Sequence, residues 1–171
     1  FCGPFELAAD TALAVGWTIV DVASNGLTGP LPTELGLVSS LQALHAEGSG
    51  LGGAIPTELG QLTALEVFTG GYSGFSGALP TELALCPLAD LQLRGNRLSG
   101  NVSWLGGPGA HNASLAVLDL GENLLTGTLP ARVADSLPAL EELYLDANLL
   151  TGVLPGTLPA SPEESALASI D

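Results

Sequence analysis

One pattern recurs along almost the whole chain, and it leaves few folds open. Written LxxLxLxxNxLxGxLP, it starts at Leu115 (LAVLDLGENLLTGTLP) and again at Leu140 (LEELYLDANLLTGVLP) with nearly every position matched. A third copy starts at Leu88 (LADLQLRGNRLSGNVS), and weaker ones at Trp17, Leu41 and Leu65. Successive starts at 17, 41, 65, 88, 115 and 140 lie 24, 24, 23, 27 and 25 residues apart. A period of this size marks a stacked array in which each unit buries its apolar face only against its neighbours.

The spacing within one unit predicts its local structure. Residues two apart on an extended segment point the same way, so LxL sends Leu118 and Leu120, or Leu143 and Leu145, into a shared core and turns Asp119 and Tyr144 outward. Each unit supplies a short strand, and stacked strands form a parallel sheet with rungs about 4.8 Å apart. The column Asn25, Ser49, Ser73, Asn96, Asn123, Asn148 follows the strand and is placed to satisfy backbone groups that the turn leaves unpaired. The column Gly29, Gly53, Gly77, Gly100, Gly127, Gly152 suits positive φ or close backbone approach. In the repeat that starts at Leu65, Gly70 takes a core position flanked by Phe68 and Phe75, which conserves volume.

The LxGxLP element after the asparagine resembles the plant-type subclass of extracellular leucine-rich repeats, as in receptor-kinase ectodomains and polygalacturonase inhibitors. The resemblance covers residues 17 to 159, and the spacings fall within the 20 to 29 residues of such repeats. It implies an α/β solenoid: a right-handed superhelix with a parallel sheet on the concave face, a second short strand near LxGxLP, and mostly 3-10 turns on the convex face. The expected organisation is an amino-terminal cap or partial repeat over 1-16, six repeats over 17-159, and an acidic tail over 160-171. The paired-cysteine caps usual in secreted members are not present. Opening at Phe1 without a basic-then-apolar leader, the chain reads as a processed or truncated product.

Composition narrows the functional classes. Three arginines and no lysine oppose 18 carboxylates, and a formal charge of −15 repels phosphate backbones and anionic lipid, so nucleic acid is excluded as a partner. The same imbalance favours cationic partners. No apolar run reaches the roughly 18 to 20 residues of a membrane span. Cys2 and Cys86 are too few for a disulfide framework, and with His45 and His111 too few for a zinc site, so no cofactor is expected.

A solenoid displays its function on the open sheet face. The outward column there is Asp21, His45, Thr69, Gln92, Asp119, Tyr144; a flanking column is Ala23, Glu47, Gly71, Arg94, Gly121, Asp146, with Tyr72 and Glu122 beside it. The candidate partner-binding residues are therefore His45, Glu47, Tyr72, Gln92, Arg94, Asp119, Tyr144 and Asp146, together with Trp104 in the lengthened loop WLGGPGAHN. Tyrosine, arginine and tryptophan are the favoured interface anchors. The same stretch carries two glycosylation sequons, at Asn101 and Asn112.

Two catalytic look-alikes are set aside. Asp21, His45 and Thr69 give acid, imidazole and hydroxyl on neighbouring strands, but an open sheet supplies no oxyanion hole. Gly48, Gly50 and Gly53 spell GxGxxG, yet Gly53 belongs to the repeat's turn column and Pro56 stands where a binding helix would begin. PTEL occurs three times and stacks Glu34, Glu58 and Glu82 on the outer side, a charge ladder that water tolerates.

The resulting expectation is a non-enzymatic, secreted or extracellular interaction module that binds a protein, peptide or glycan on its concave face. The alternatives are a structural subunit of a larger assembly, for example in an organelle or thylakoid lumen, and an ice-binding surface on the hydroxyl column Thr28, Ser76, Ser99, Thr126, Thr151.

Overall fold

The computed structural model describes residues 16–102, 105, 112–131 and 133–153. The expected cap over 1–16, Gly16 apart, the expected tail over 160–171 and most of the long loop, Trp104 included, lie outside the described residues.

Each repeat contributes two strands: β1 (Ile19–Asp21) and β2 (Thr28–Gly29), β3 (Ala43–His45) and β4 (Gly50–Gly53), β5 (Val67–Thr69) and β6 (Gly74–Ala78). The later three give β7 (Asp90–Gln92) and β8 (Arg97–Asn101), β9 (Val117–Asp119) and β10 (Leu124–Gly127), β11 (Glu142–Tyr144) and β12 (Leu149–Leu150). Odd-numbered strands form one parallel six-stranded sheet in chain order, and even-numbered strands form a second. This is the leucine-rich-repeat solenoid, with the first sheet on its concave side and, on its convex side, 3-10 turns at Thr33–Leu37, Thr57–Gln61, Thr81–Leu85 and Asn112–Ser114 and a four-residue α-helix at Val133–Ser136.

The first sheet stacks without offset. Val20, Leu44, Phe68, Leu91, Leu118 and Leu143 pair in register from rung to rung. Those from Val20 to Leu118 are buried, while Leu143, on the last described rung, is only partly buried and packs against the core. The first leucine of each motif, at 41, 65, 88, 115 and 140, is buried as well, so one apolar column runs the length of the stack. Phe75 fills the space that Gly70 leaves: a Cβ at Gly70 would lie 2.7 Å from its ring, and the Phe68 and Phe75 rings meet edge to face at 6.2 Å.

The asparagine column does the work its spacing predicted. The Leu98 N–H donates to Asn123 Oδ1 at 2.9 Å, and Asn123 Nδ2 donates to the carbonyls of Leu93, Leu120 and Gly121. Asn96 and Asn148 repeat the arrangement one rung below and above. The serines do less: Ser73 donates to Ala46 O, and Ser49 to the same carbonyl. The glycine column has positive φ throughout, from 79° at Gly53 to 103° at Gly152.

A second positive-φ column was not anticipated. Ser24, Gly48, Tyr72, Gly95, Glu122 and Ala147 all lie between 50° and 69°. This kink falls three residues past the end of each strand, and from the second coil onward the residue after it, the asparagine or serine, turns inward. The N–H of each from Ser24 to Glu122 still donates to the flanking-column carbonyl of the next coil, at 2.8 to 3.0 Å. On the convex side, proline at 32, 56 and 80 precedes each PTEL turn, whose leucine N–H donates back to the proline carbonyl. Gly36 and Gly60 bring these turns together, since a Cβ there would strike the backbone of Glu58 or Glu82.

Candidate functional site

The concave sheet brings most of the predicted face residues together. Asp21, His45, Thr69, Gln92, Asp119 and Tyr144 form one paired column on successive strands. Glu47, Arg94 and Asp146 stand in the flanking column, and Tyr72 is 60% exposed beside it. Asn101 is exposed at the end of β8 on the other sheet; of Asn112 only the backbone is described.

Arg94 is already engaged. Its Nη1 donates to Asp146 Oδ1 at 2.9 Å, its Nε to Glu122 Oε1 at 3.1 Å, and Nη1 lies 3.4 Å from Asp119 Oδ1. Asp146 belongs two rungs further along the stack, and Arg94 reaches it by lying across Gly121, where a Cβ would collide with Nη1. Tyr72 makes a parallel straddle: its ring lies over Gly95, and its hydroxyl donates to Glu122 at 3.4 Å. Glycine on the intervening rung is what lets each long side chain bridge.

The electrostatics follow from this lattice. Hydrogen bonds from Arg94 hold the Asp146 carboxyl below the usual carboxylate range, and the Asp146 contact in turn drives the Arg94 guanidinium upward. The Glu142 carboxylate, which accepts from the Tyr144 hydroxyl at 3.2 Å, raises that phenol. Three carboxylates around one guanidinium leave the cluster net negative.

The acid–imidazole–hydroxyl column is wired differently from a nucleophile triad. Asp21 accepts from the Ala23 N–H at 3.1 Å, and the acid that meets the hydroxyl is Glu47: Thr69 Oγ1 donates to Glu47 Oε2 and lies 2.9 Å from His45 Nδ1. With its one proton given to Glu47, that oxygen accepts from His45 Nδ1–H. The hydroxyl is thus positioned as a bridge on an open face. Among the described residues, no group of three or more His, Cys, Asp or Glu is placed to hold a metal ion, and no helix is long and apolar enough to cross a membrane.

The hydroxyl column on the second sheet is not a continuous row. Pairing there is offset by two residues per rung, so Ser76 adjoins Arg97, Ser99 adjoins Leu124 and Thr126 adjoins Leu149. Thr126 and Thr151 also turn their hydroxyls back onto the carbonyls of Gly100 and Gly127.

Sequence reasoning missed one strip of the face. Ile19, Ala43, Val67, Asp90, Val117 and Glu142 form a second outward column, at the start of each strand. The signal was available, because period two turns both neighbours of a core residue outward. Ile19 is 62% exposed.

Fold and face together define a leucine-rich-repeat solenoid of the plant type. Among solved structures, the plant peptide hormone receptor RGFR1, in complex with RGF2, is similar at 32% identity over 78% of this chain and 21% of its own, with a TM-score of 0.71. The Arabidopsis receptor kinase HAESA, in complex with the peptide hormone IDA and the co-receptor SERK1, is similar at 30% identity over 81% of this chain and 23% of its own, with a TM-score of 0.75. A plant ice-binding protein is similar at 26% identity over 90% of this chain and 55% of its own, with a TM-score of 0.66. The chain therefore spans 21% and 23% of the two receptors' lengths. No family model matches the chain, and no curated protein does.

Proposed function

We propose that this chain is a non-catalytic recognition module that binds a protein or peptide partner on its concave sheet. The observation that carries the reading is the solvent-facing column His45, Gln92, Asp119 and Tyr144, flanked by the braced pair Tyr72 and Arg94, on a fold shared with receptors solved in complex with peptide hormones. Aromatic and arginine side chains held by neighbours lose little freedom on binding, which is the condition for efficient contact. The module works outside the cell or in a secretory compartment, with glycans at Asn101 and Asn112, a cap formed by residues 1–16 and a tail formed by 160–171.

The test is affinity capture from native material with the wild-type chain, a concave variant (His45→Ala, Gln92→Ala, Tyr144→Ala) and a convex variant (Glu34→Gln, Glu58→Gln, Glu82→Gln). Recovery of a specific partner by the wild type and the convex variant, and its loss with the concave variant, is the expected result. A partner retained by the concave variant and lost by the convex one would instead describe a subunit docked through its back.

A further inference from the structure

The four asparagines of the ladder are not chemically equivalent. Asn25 is followed by Gly26, whereas Asn96, Asn123 and Asn148 are followed by Arg97, Leu124 and Leu149. An asparagine carboxamide is open to attack by the backbone nitrogen of the next residue, and glycine, with no Cβ, leaves that nitrogen unshielded. The hydrogen bonding differs as well. Asn96, Asn123 and Asn148 each accept at Oδ1 from an N–H of the coil before, that of Phe75, Leu98 or Leu125, at 2.9 to 3.0 Å. Each also donates from Nδ2 to a carbonyl of that coil, Gly70, Leu93 or Leu120. With oxygen and nitrogen both held, the carboxamide carbon is kept from turning towards the next nitrogen of its own chain. Burial of Asn96 and Asn123 further penalises the charged adduct that attack would form. Asn25 and Gly26 are exposed, and Asn25 Nδ2 donates within its own turn, to Ala23 O at 2.9 Å.

We propose that Asn25 is a site of spontaneous deamidation, reactive because the first rung leaves its side chain unclamped beside glycine, and that conversion loosens the second strand of that coil. The Gly26 nitrogen, its proton taken by water or hydroxide, bonds to Asn25 Cγ. The Cγ–Nδ2 bond breaks, ammonia leaves, and a succinimide ring closes. Water then opens the ring at one carbonyl to give aspartate or at the other to give isoaspartate, with nothing oxidised or reduced. A carboxylate has no N–H to donate, so the bond to Ala23 O is lost in either product. Isoaspartate also routes the backbone through Cγ and lengthens it by a methylene just ahead of β2, whose Thr28 and Gly29 pair with Gly50 and Leu51. On the other side of Asn25, the Ser24 N–H stays on Glu47 O at 2.8 Å, so the added length bears on β2 rather than β1. The later coils keep their own clamps, and in a stack where each coil meets only its neighbours the change stops at the first interface.

The experiment is incubation of the full chain at mildly acidic and mildly alkaline pH, then peptide mapping by mass spectrometry for the mass gain of amide-to-acid exchange. Enzymatic carboxyl methylation counts the isoaspartate. Three proteins are compared, each checked by thermal melt. Beside the wild type stands Gly26→Ala, which puts a side chain next to the attacking nitrogen at a position whose φ is not left-handed. The third, Leu124→Gly, sets the same Asn–Gly pair on the clamped Asn123, Leu124 itself being 49% exposed. Should it fail to fold, Leu149→Gly makes the comparison at Asn148. Asn25 is expected to convert in the wild type, faster at alkaline pH, while Asn96, Asn123 and Asn148 stay intact, and to convert at least about tenfold more slowly in Gly26→Ala. In folded Leu124→Gly, Asn123 should lag Asn25 by at least about tenfold, and the two should converge once urea opens the stack. Amide hydrogen exchange at β2 should quicken in the converted fraction and stay unchanged at β9 and β10. An Asn25 that survives the alkaline incubation overturns the proposal. Equal rates at Asn25 and Asn123 in folded Leu124→Gly overturn the protective role of the clamps, and unchanged exchange at β2 overturns the loosening.

Discussion

Replacing Asn123 by alanine is the sharpest test of how the coils are joined. Asn123 is 5% exposed and makes four hydrogen bonds, one accepted from the Leu98 N–H of the coil before and three donated to carbonyls. Its loss does not affect all four partners alike. The Leu93 carbonyl keeps Asn96 Nδ2 at 2.9 Å, Leu120 keeps Asn148 Nδ2 at 2.9 Å, and Gly121 keeps the Gly95 N–H at 3.0 Å. The Leu98 N–H loses the side-chain acceptor it has in the native chain. An orphaned buried donor costs about 1–3 kcal/mol, and three weakened carbonyl contacts add a few tenths each, so the expected destabilisation is about 3 kcal/mol. For a chain of this size, that lowers Tm by about 6–12 °C. Urea unfolding followed by circular dichroism measures it, with an unchanged m-value showing that the exposed surface is the same. Asn25→Ala provides the contrast, because Asn25 is exposed and its amide donates within its own turn, to Ala23 O at 2.9 Å; it should cost less than about 1 kcal/mol. Asn123→Ser should fall between, since a hydroxyl keeps one inward bond, as Ser73 does to Ala46 O. If Asn123→Ala cost no more than Asn25→Ala, the ladder would not be what ties one coil to the next.

Two further outcomes depend on pH. Because Arg94 holds the Asp146 carboxyl below its unfolded value, the pair's stabilisation is present above about pH 4 and is lost as pH falls through the folded value. Arg94→Ala should therefore flatten the acid limb of the stability curve and cost about 1 kcal/mol at neutral pH, the guanidinium being 26% exposed; an unaltered acid limb would dissociate the pair from stability. Cys86, fully buried with its thiol donating to Leu59 O at 3.2 Å, is pushed up to about 11 by burial. The unfolded thiol ionises from about pH 8.5, so its contribution to stability is intact below that and declines up to about 11. Cys86 should resist a thiol reagent at pH 8 until urea unfolds the chain, and rapid labelling of Cys86 in the native protein, told apart from Cys2 by peptide mapping, would contradict its burial.

Much of this molecule can be read from one dimension. A stacked solenoid lets each coil see only its neighbours, so a repeat that satisfies one interface satisfies all of them, and periodicity alone placed Val20 to Leu143 on successive rungs and Asn96, Asn123 and Asn148 beneath the turn. Period two told inward from outward on each strand. What periodicity could not carry was the reach of individual side chains between coils. Glycine flanks Arg94 on both sides, at Gly71 and Gly121, so spacing left open whether it would reach towards Glu47 or Asp146; in the stack it lies across Gly121 to Asp146, where Glu122 and Asp119 also meet it, and Tyr72 likewise lies over Gly95. The second sheet's two-residue offset, which separates Ser76 from Ser99 and Ser99 from Thr126, is likewise a matter of how whole coils seat on one another. Local spacing sets the direction in which a residue points; the packed stack decides what it meets there.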